Sequence, residues 1–256
     1  MKALDLFCCA GGASAGLAQA GFEVTGVDIA DRPSYPYTFI RGDALDMPIA
    51  FIRQFDLVWA SPPCQRWTAY RRKSPETIGA DAPDLIAETR ALLTEAGVPY
   101  VIENVEGARP ELRDPITLCG SSFGLDVRRH RLFEASFPVD GPPCDHKIHV
   151  RRGRRFPQAT NRKNRRYTAE IGVWRIPLDQ QHAAMGGCEW MSLEELSQAI
   201  PPAYSKYLAE RFLGFQTHRS NSCQSNHNPC ATADLSRIWV TDTNGVCRMV
   251  ATRGGK

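Results

Sequence analysis

The sequence has no uninterrupted apolar run long enough to cross a bilayer, which argues against a helical membrane protein. Its opening residues, Met1-Lys2-Ala3-Leu4-Asp5, lack the long apolar stretch of a secretion signal, and Asp5 counts against one. It also lacks any paired Cys-x-x-Cys. Cys144-Asp145-His146 and Cys223…His227…Cys230 are irregularly spaced as metal ligands, so no metal is expected. The glycine-rich turn near the N-terminus does not have the G-x-G-x-x-G spacing of a dinucleotide fold, which sets a dehydrogenase aside. No internal repeat is visible.

What is present fits one large domain, or a large domain with a small one: 256 residues, 43% of them hydrophobic. The nine cysteines are expected to be free thiols, mostly packed as small hydrophobes, in a cytoplasmic protein. The net charge of +3 hides an asymmetry. Residues 147–166 carry nine Lys/Arg and no Asp/Glu, so the rest of the chain sums to −6. A polyanion site needs such a concentration, because each phosphate contact releases condensed counterions.

The first half alternates strand and helix signals. Strands are predicted at Ala3–Cys8, Phe22–Asp28, Tyr37–Ile40, Phe55–Ala60, Val98–Glu103 and Arg131–Ala135, with helices over Ser14–Ala20 and Asp84–Ala96. This alternation predicts an α/β fold, a doubly wound, mostly parallel sheet covered on both faces. Ligands of such sheets bind beyond the carboxyl ends of the strands. Gly11, Gly12, Asp28, Asp43, Cys64 and Glu103 all fall there. From about Asp140 the pattern breaks into a basic, polar stretch. Regularity returns at Ser192–Gln198, where Ser192 and Glu195 make a capping-box pattern, and at an amphipathic helix over Ala203–Leu213. The expected organisation is a catalytic domain over 1–139, a small recognition region over 140–190, a returning helix over 191–214, and a poorly ordered tail over 215–256.

Asp5–Gly16 reads as a strand, a glycine turn and a helix start, where glycines let backbone approach a ligand and the helix N-terminus offers N–H donors. Asp28 can accept from both hydroxyls of a ribose. Asp43 can bind an exocyclic adenine amine; an Asp in a Gly-Asp turn is also common for its own sake. Ser61-Pro62-Pro63-Cys64-Gln65 is the sharpest feature. Two prolines fix the backbone after a buried strand and hold the next side chain in place. A cysteine there, near Arg66, Arg71, Arg72 and Lys73, can be a thiolate at neutral pH. Glu103-Asn104-Val105 ends the next strand, so its carboxyl can face that sulfur and hold N3 and the amine of a pyrimidine. Arg128-Arg129-His130-Arg131 supplies guanidinium donors for a base oxygen or a phosphate.

Taken in order, these segments resemble the DNA cytosine-5 methyltransferase family. Asp5–Gly16 is similar to its cofactor-binding glycine motif, Ser61–Gln65 to its nucleophile motif, Glu103-Asn104-Val105 to its Glu-Asn-Val motif, and Arg129-His130-Arg131 to the end of its Gln-x-Arg-x-Arg motif. Ala199-Ile200-Pro201-Pro202 resembles its last motif. Cys9, Val127 and Ser197-Gln198 depart from the pattern, and the interval from Leu132 to Ala199 is short. The resemblance implies a Rossmann-like fold that binds S-adenosylmethionine (SAM) through Phe7, Gly11, Gly12, Asp28, Ile29, Asp43, Ala44, Pro62 and Ala203. It implies catalysis by Cys64, Glu103, Arg129 and Arg131. Cys64 would add to C6 of a flipped cytosine, Glu103 would engage N3, and C5 would take the methyl group. Double-stranded DNA is the implied partner, with no membrane, and the protein is expected to be a monomer in a bacterial or phage-infected cell. Gln65, Arg71, Arg72, Lys73, Arg162, Lys163, Arg165 and Arg166 are the implied DNA contacts. Arg66–Ser74 would close over the flipped base as a loop. Sequence choice would lie in about Cys144–Met185, reading a site of about two to four base pairs. The alternatives are a tRNA cytosine-5 methyltransferase and a catalytically silent DNA-binding protein of the same fold.

Overall fold

The computed structural model describes residues 1–68, 82–151, 166–224, 237–241 and 247–251. The chain divides into two compact units, Met1–Phe215 and Gln216–Lys256. Arg71, Arg72, Lys73, Arg162, Lys163 and Arg165 lie outside the described residues, as does most of Arg66–Ser74.

In the first unit the chain runs β1 (Lys2–Leu6), α1 (Gly12–Gln19), β2 (Glu23–Asp28), β3 (Thr38–Arg41), α2 (Ile49–Ile52), β4 (Leu57–Ala60), α3 (Ile86–Ala96), β5 (Tyr100–Asn104), β6 (Ile116–Leu118) and β7 (Arg131–Ala135). These seven strands form one sheet in the order β3-β2-β1-β4-β5-β7-β6. The first five strands pair parallel, and β7 runs antiparallel to both β5 and β6. The chain winds one way from β1 to β3 and the other way through β4 and β5. The crevice between the ends of β1 and β4 is therefore the switch point where such sheets bind ligands. The Rossmann-like α/β fold read from the strand–helix alternation is the one observed.

Burial explains why the central strands form. All four residues of β4 are buried, and Leu4, Leu6, Val58, Ala60 and Ile102 share a cluster with Ile86 and Leu93 of α3. Such unbroken apolar runs belong to strands covered on both faces. The opposite face packs Leu17, Trp59, Val101 and Phe133 against Tyr204, Leu208 and Phe212. Those last residues lie on α6 (Pro202–Gln224), which follows α4 (Leu178–Met185) and α5 (Leu193–Gln198). Ser192 caps α5 with both halves of the capping box in place. Beyond the main sheet, β8 (His149–Arg151) pairs parallel with β9 (Arg166–Thr168).

Three features depart from expectation. α6 runs on to Gln224 instead of stopping near Leu213. In the second unit β10 (Arg237–Thr241) and β11 (Cys247–Ala251) pair antiparallel over five residues each, where composition predicts a poorly ordered tail. And α4 falls inside the stretch read as lacking regular structure.

A buried ion pair ties the last strands to α3. Arg90 donates to both carboxylate oxygens of Glu134 on β7 at 2.7 Å, and to the Glu111 carbonyl at 2.6 Å. Glu134 also accepts from the Arg113 amide at 2.8 Å. Both side chains are nearly inaccessible, so each charge depends on the other for its solvation.

Candidate active site

The sequence-predicted site residues at the strand ends come together. The turn after β1 is held in an unusual backbone: Phe7, Cys9 and Gly11 have φ of 59°, 46° and 88°. Gly11 sits in the left-handed region at the N-cap of α1, a conformation that glycine adopts at little cost. Asp28, at the end of β2, fastens this turn. Its carboxylate accepts from the Cys9 amide at 2.9 Å and the Ala30 amide at 2.9 Å, and pairs with Arg32 at 3.2 Å. Next to it Ile29 is 68% exposed, an apolar side chain turned to solvent at the strand end. Asp43 follows β3, exposed, accepting from the Leu45 amide at 2.9 Å and capping a short helical turn that begins at buried Ala44. Ala203 lies in the first turn of α6, whose Ser205 hydroxyl donates to the Ala13 carbonyl of α1 at 2.7 Å.

The two glycines of the turn serve packing, not only ligand approach as read from the sequence. A Cβ on Gly11 would stand 2.9 Å from the Tyr35 ring, and one on Gly12 would stand 2.8 Å from the Ile200 carbonyl. Protein atoms fill the space that those missing side chains leave. Tyr35 itself belongs to a buried polar group that sequence reasoning missed. The Ser14 hydroxyl donates to Asp5 at 2.5 Å and meets the Tyr35 hydroxyl at 2.6 Å. Burial pushes the Asp5 carboxyl up to about 7. Trp190 donates to the Ala10 carbonyl at 2.8 Å and braces the same turn.

Cys64 stands at the end of the Ser61-Pro62-Pro63 segment that leaves β4, partly buried, and its carbonyl accepts from the Trp67 amide at 2.9 Å to start a short helical turn. Gln65, in that turn, is exposed. The segment is anchored at both ends. The Ser61 amide donates to the Leu6 carbonyl of β1 at 3.1 Å, and the Asn104 side chain donates to the buried Pro62 carbonyl at 3.0 Å. Asn104 thus links the end of β5 to the cysteine turn, a role visible only in three dimensions. Gly107 allows the two loops to close, because a Cβ there would lie 2.1 Å from the Trp67 carbonyl oxygen.

Glu103 is buried at the end of β5, 3.2 Å from the Arg131 guanidinium. Burial raises its pKa above the usual carboxylate range, against the opposing pull of Arg131, a Ser61 hydrogen bond and Arg129. Burial also raises the Cys64 thiol, and the Glu103 carboxylate raises it further; Arg131 and Arg129 offset only part of this. The thiolate expected from a basic neighbourhood is therefore not the resting form. Desolvation and a facing carboxylate outweigh the two guanidinium groups. Arg131 also donates to the His130 carbonyl at 2.8 Å. Burial, with Arg131 beside it, pulls the Arg129 pKa down, yet the group stays cationic at neutral pH. Arg129 donates to the Ser197 carbonyl at 2.5 Å while its buried Nε has no hydrogen-bond partner among the described residues. Arg128 points elsewhere and donates to the His146 carbonyl at 2.6 Å. Arg166 begins β9.

Cys144 and His146, irregularly spaced as metal ligands in the sequence, lie in the fold beside a further cysteine and a further histidine. Cys119, His130, Cys144 and His146 bring their ligand atoms within 4.8 Å of one another.

Among the described residues no helix is long and apolar enough to cross a membrane. No curated protein matches the sequence. Among solved structures the fold is similar to a Spodoptera frugiperda DNMT2 mutant, at 13% identity and a TM-score of 0.54, over 83% of this chain and 99% of that one. It is also similar to the Entamoeba histolytica methyltransferase EhMeth, at 12% identity and a TM-score of 0.51, over 84% of this chain and 98% of that one. At such identities the likeness is one of fold. The sequence itself matches the family model for C-5 cytosine-specific DNA methylase over residues 1–112, which take in the glycine turn, the cysteine turn and the Glu-Asn-Val end of β5.

Proposed function

We propose that this protein transfers a methyl group from SAM to carbon 5 of cytosine in double-stranded DNA, with Cys64 as covalent nucleophile. The observation that carries the reading is the meeting of Cys64 and Glu103 at adjacent strand ends, with Arg131 on Glu103 and Arg129 acting on both.

The cofactor is SAM, and the chemistry of the β1–β3 ends fits it. The α1 N-terminus and the ordered turn suit a carboxylate and backbone approach. Asp28 suits ribose hydroxyls, with Arg32 giving up its place, and exposed Ile29 offers an apolar face to a purine ring. Asp43 keeps acceptor capacity for an amine beyond its one bond to Leu45. Phe7, Gly12, Ala44, Pro62 and Ala203 would wall the crevice. When bound, SAM supplies an electrophilic methyl group on a sulfonium.

Cytosine C5 is too weak a nucleophile to take that methyl unaided. Cys64 releases its thiol proton to solvent and forms a bond to C6, while the electrons of the ring double bond move toward C5 and N3. Glu103, held toward its protonated form by burial, supplies a proton to N3 and neutralises that charge. Arg129, whose buried Nε has no partner among the described residues, and Arg131 orient Glu103 and the base oxygen. After methyl transfer, the C5 proton passes to solvent, the S–C6 bond breaks, and the N3 proton returns to Glu103, which restores the aromatic ring and frees Cys64 as a thiolate that takes up a proton from solvent. The base must leave its stack to reach the sulfur, at a cost of a few kcal/mol. Gln65 and the basic residues Arg71, Arg72, Lys73, Arg162, Lys163, Arg165 and Arg166 would hold the polymer and the displaced strand.

Methyl transfer from labelled SAM to duplex DNA and to tRNA, followed by bisulfite sequencing, tests the substrate. Label at C5 of cytosine within one recurring short DNA site is the expected result. Label in tRNA alone would move the same chemistry to RNA, and no label in either would contradict the proposal.

A further inference from the structure

We propose that Cys119, His130, Cys144 and His146 bind one zinc ion, which clamps the start of the basic segment 147–166 to the edge of the catalytic sheet. The four come from three separate pieces of chain. Cys119 is buried just after β6, His130 immediately precedes β7, and Cys144 and His146 lie in the loop opened by Pro142-Pro143. Their ligand atoms lie within 4.8 Å of one another. The Cys119 sulfur is 3.3 Å from His146 Nε2, and the Cys144 sulfur is 3.5 Å from His130 Nε2. A tetrahedral zinc with Zn–S of about 2.3 Å and Zn–N of about 2.0 Å has S···N edges of about 3.5 Å. Two of the S···N separations already match that edge.

The donor set selects the metal and the role. Two thiolates and two imidazoles suit zinc. Both thiol protons leave to solvent on binding, so the two sulfur charges balance the divalent ion. All four corners belong to protein, which marks a structural centre with no position open for water or substrate. Supporting bonds around the ligands are in place. The Ser121 hydroxyl donates to the Cys119 sulfur at 3.2 Å and accepts from the Asp145 amide at 3.2 Å, bridging the sheet edge to the loop. Arg128 holds the His146 carbonyl at 2.6 Å.

Two consequences make the position meaningful. Lys147, the first residue of the basic segment, directly follows a ligand. His130 stands between Arg129 and Arg131, so fixing its ring also fixes the backbone carrying both guanidinium groups toward Cys64 and Glu103. The centre does not depend on which polymer is methylated.

The test is the zinc content of the full chain, purified under reducing conditions and passed over a chelating resin. One zinc per chain is expected, with the content falling at least about tenfold in a Cys119→Ser/Cys144→Ser double variant and unchanged in Cys64→Ser. Intact protein stripped by a chelator and titrated with Co²⁺ gives a second readout that does not depend on the variant folding. It should develop one equivalent of tetrahedral thiolate–cobalt absorption, abolished by adding zinc. Intact protein that takes up neither metal, or a double variant that keeps its zinc, would overturn the proposal.

Discussion

Cys64 and Glu103 each sit where burial favours the neutral form, and the Glu103 carboxylate also raises the thiol. Replacing Glu103 with Gln removes one of the two causes that raise Cys64, so the thiol pKa should fall. Alkylation of Cys64, followed by mass spectrometry across pH, should therefore run faster at a given pH in Glu103→Gln than in the parent. Methyl transfer should drop by about 10²–10⁴, because the proton donor for N3 is gone. Slower alkylation, or unchanged transfer, would contradict the pairing. Asp5 gives a second prediction at this scale. Its folded pKa of about 7 lies above the ordinary value of 3.8. The folded chain therefore holds a proton that the unfolded chain has released, and stability from this group is full below about pH 4 and lost as pH rises through about 7. Asp5→Asn keeps an acceptor for Ser14 and has no proton to lose. Its urea midpoint should gain on the parent's between pH 4 and pH 8, and a constant difference would count against the assignment.

At the scale of elements, the strand ends were readable because chemistry and topology coincide there. A Pro-Pro-Cys turn after an apolar run, and a Glu-Asn pair after the next, declare both the strand and its site. What could not be read is contact between distant positions. The Arg90–Glu134 pair joins residues on α3 and β7, and nothing in either local sequence marks it as buried. The three-residue β6 carries too little periodicity to register, and the metal-ligand set is spread over three segments without a Cys-x-x-Cys. Gly12 was legible as a special position but not for its reason, the Ile200 backbone against it. Two substitutions test this level. Glu134→Ala strands a buried guanidinium and should cost about 3–5 kcal/mol in denaturant unfolding. Gly107→Ala forces its Cβ toward the Trp67 carbonyl and should move the Cys64 turn off β5. We expect methyl transfer to fall by about 10²-fold, since small misplacements in a site cost that much. Activity equal to the parent's would show that the two loops need not close.

The whole molecule separates its charge: a chain of net +3 keeps nine cationic residues in 147–166 and is acidic elsewhere. Polymer binding should therefore weaken steeply with salt. A variant carrying Arg162→Ala, Lys163→Ala, Arg165→Ala and Arg166→Ala should lose polymer affinity and flatten that salt dependence while SAM affinity stays unchanged. Fluorescence anisotropy at several salt concentrations, with calorimetry for SAM, reads both. Unchanged affinity at moderate salt would remove the basic segment from the interface.

Covalent attack by one sulfur on cytosine is the claim on which the rest stands. Duplex DNA bearing 5-fluorocytosine stalls that chemistry, because C5 then carries no proton to release. Incubated with the full chain and SAM, it should form an adduct that survives denaturing electrophoresis, maps to Cys64 by mass spectrometry, and vanishes in Cys64→Ser. Methyl transfer by Cys64→Ser at the parental rate, or an adduct mapping to another residue, would contradict the account.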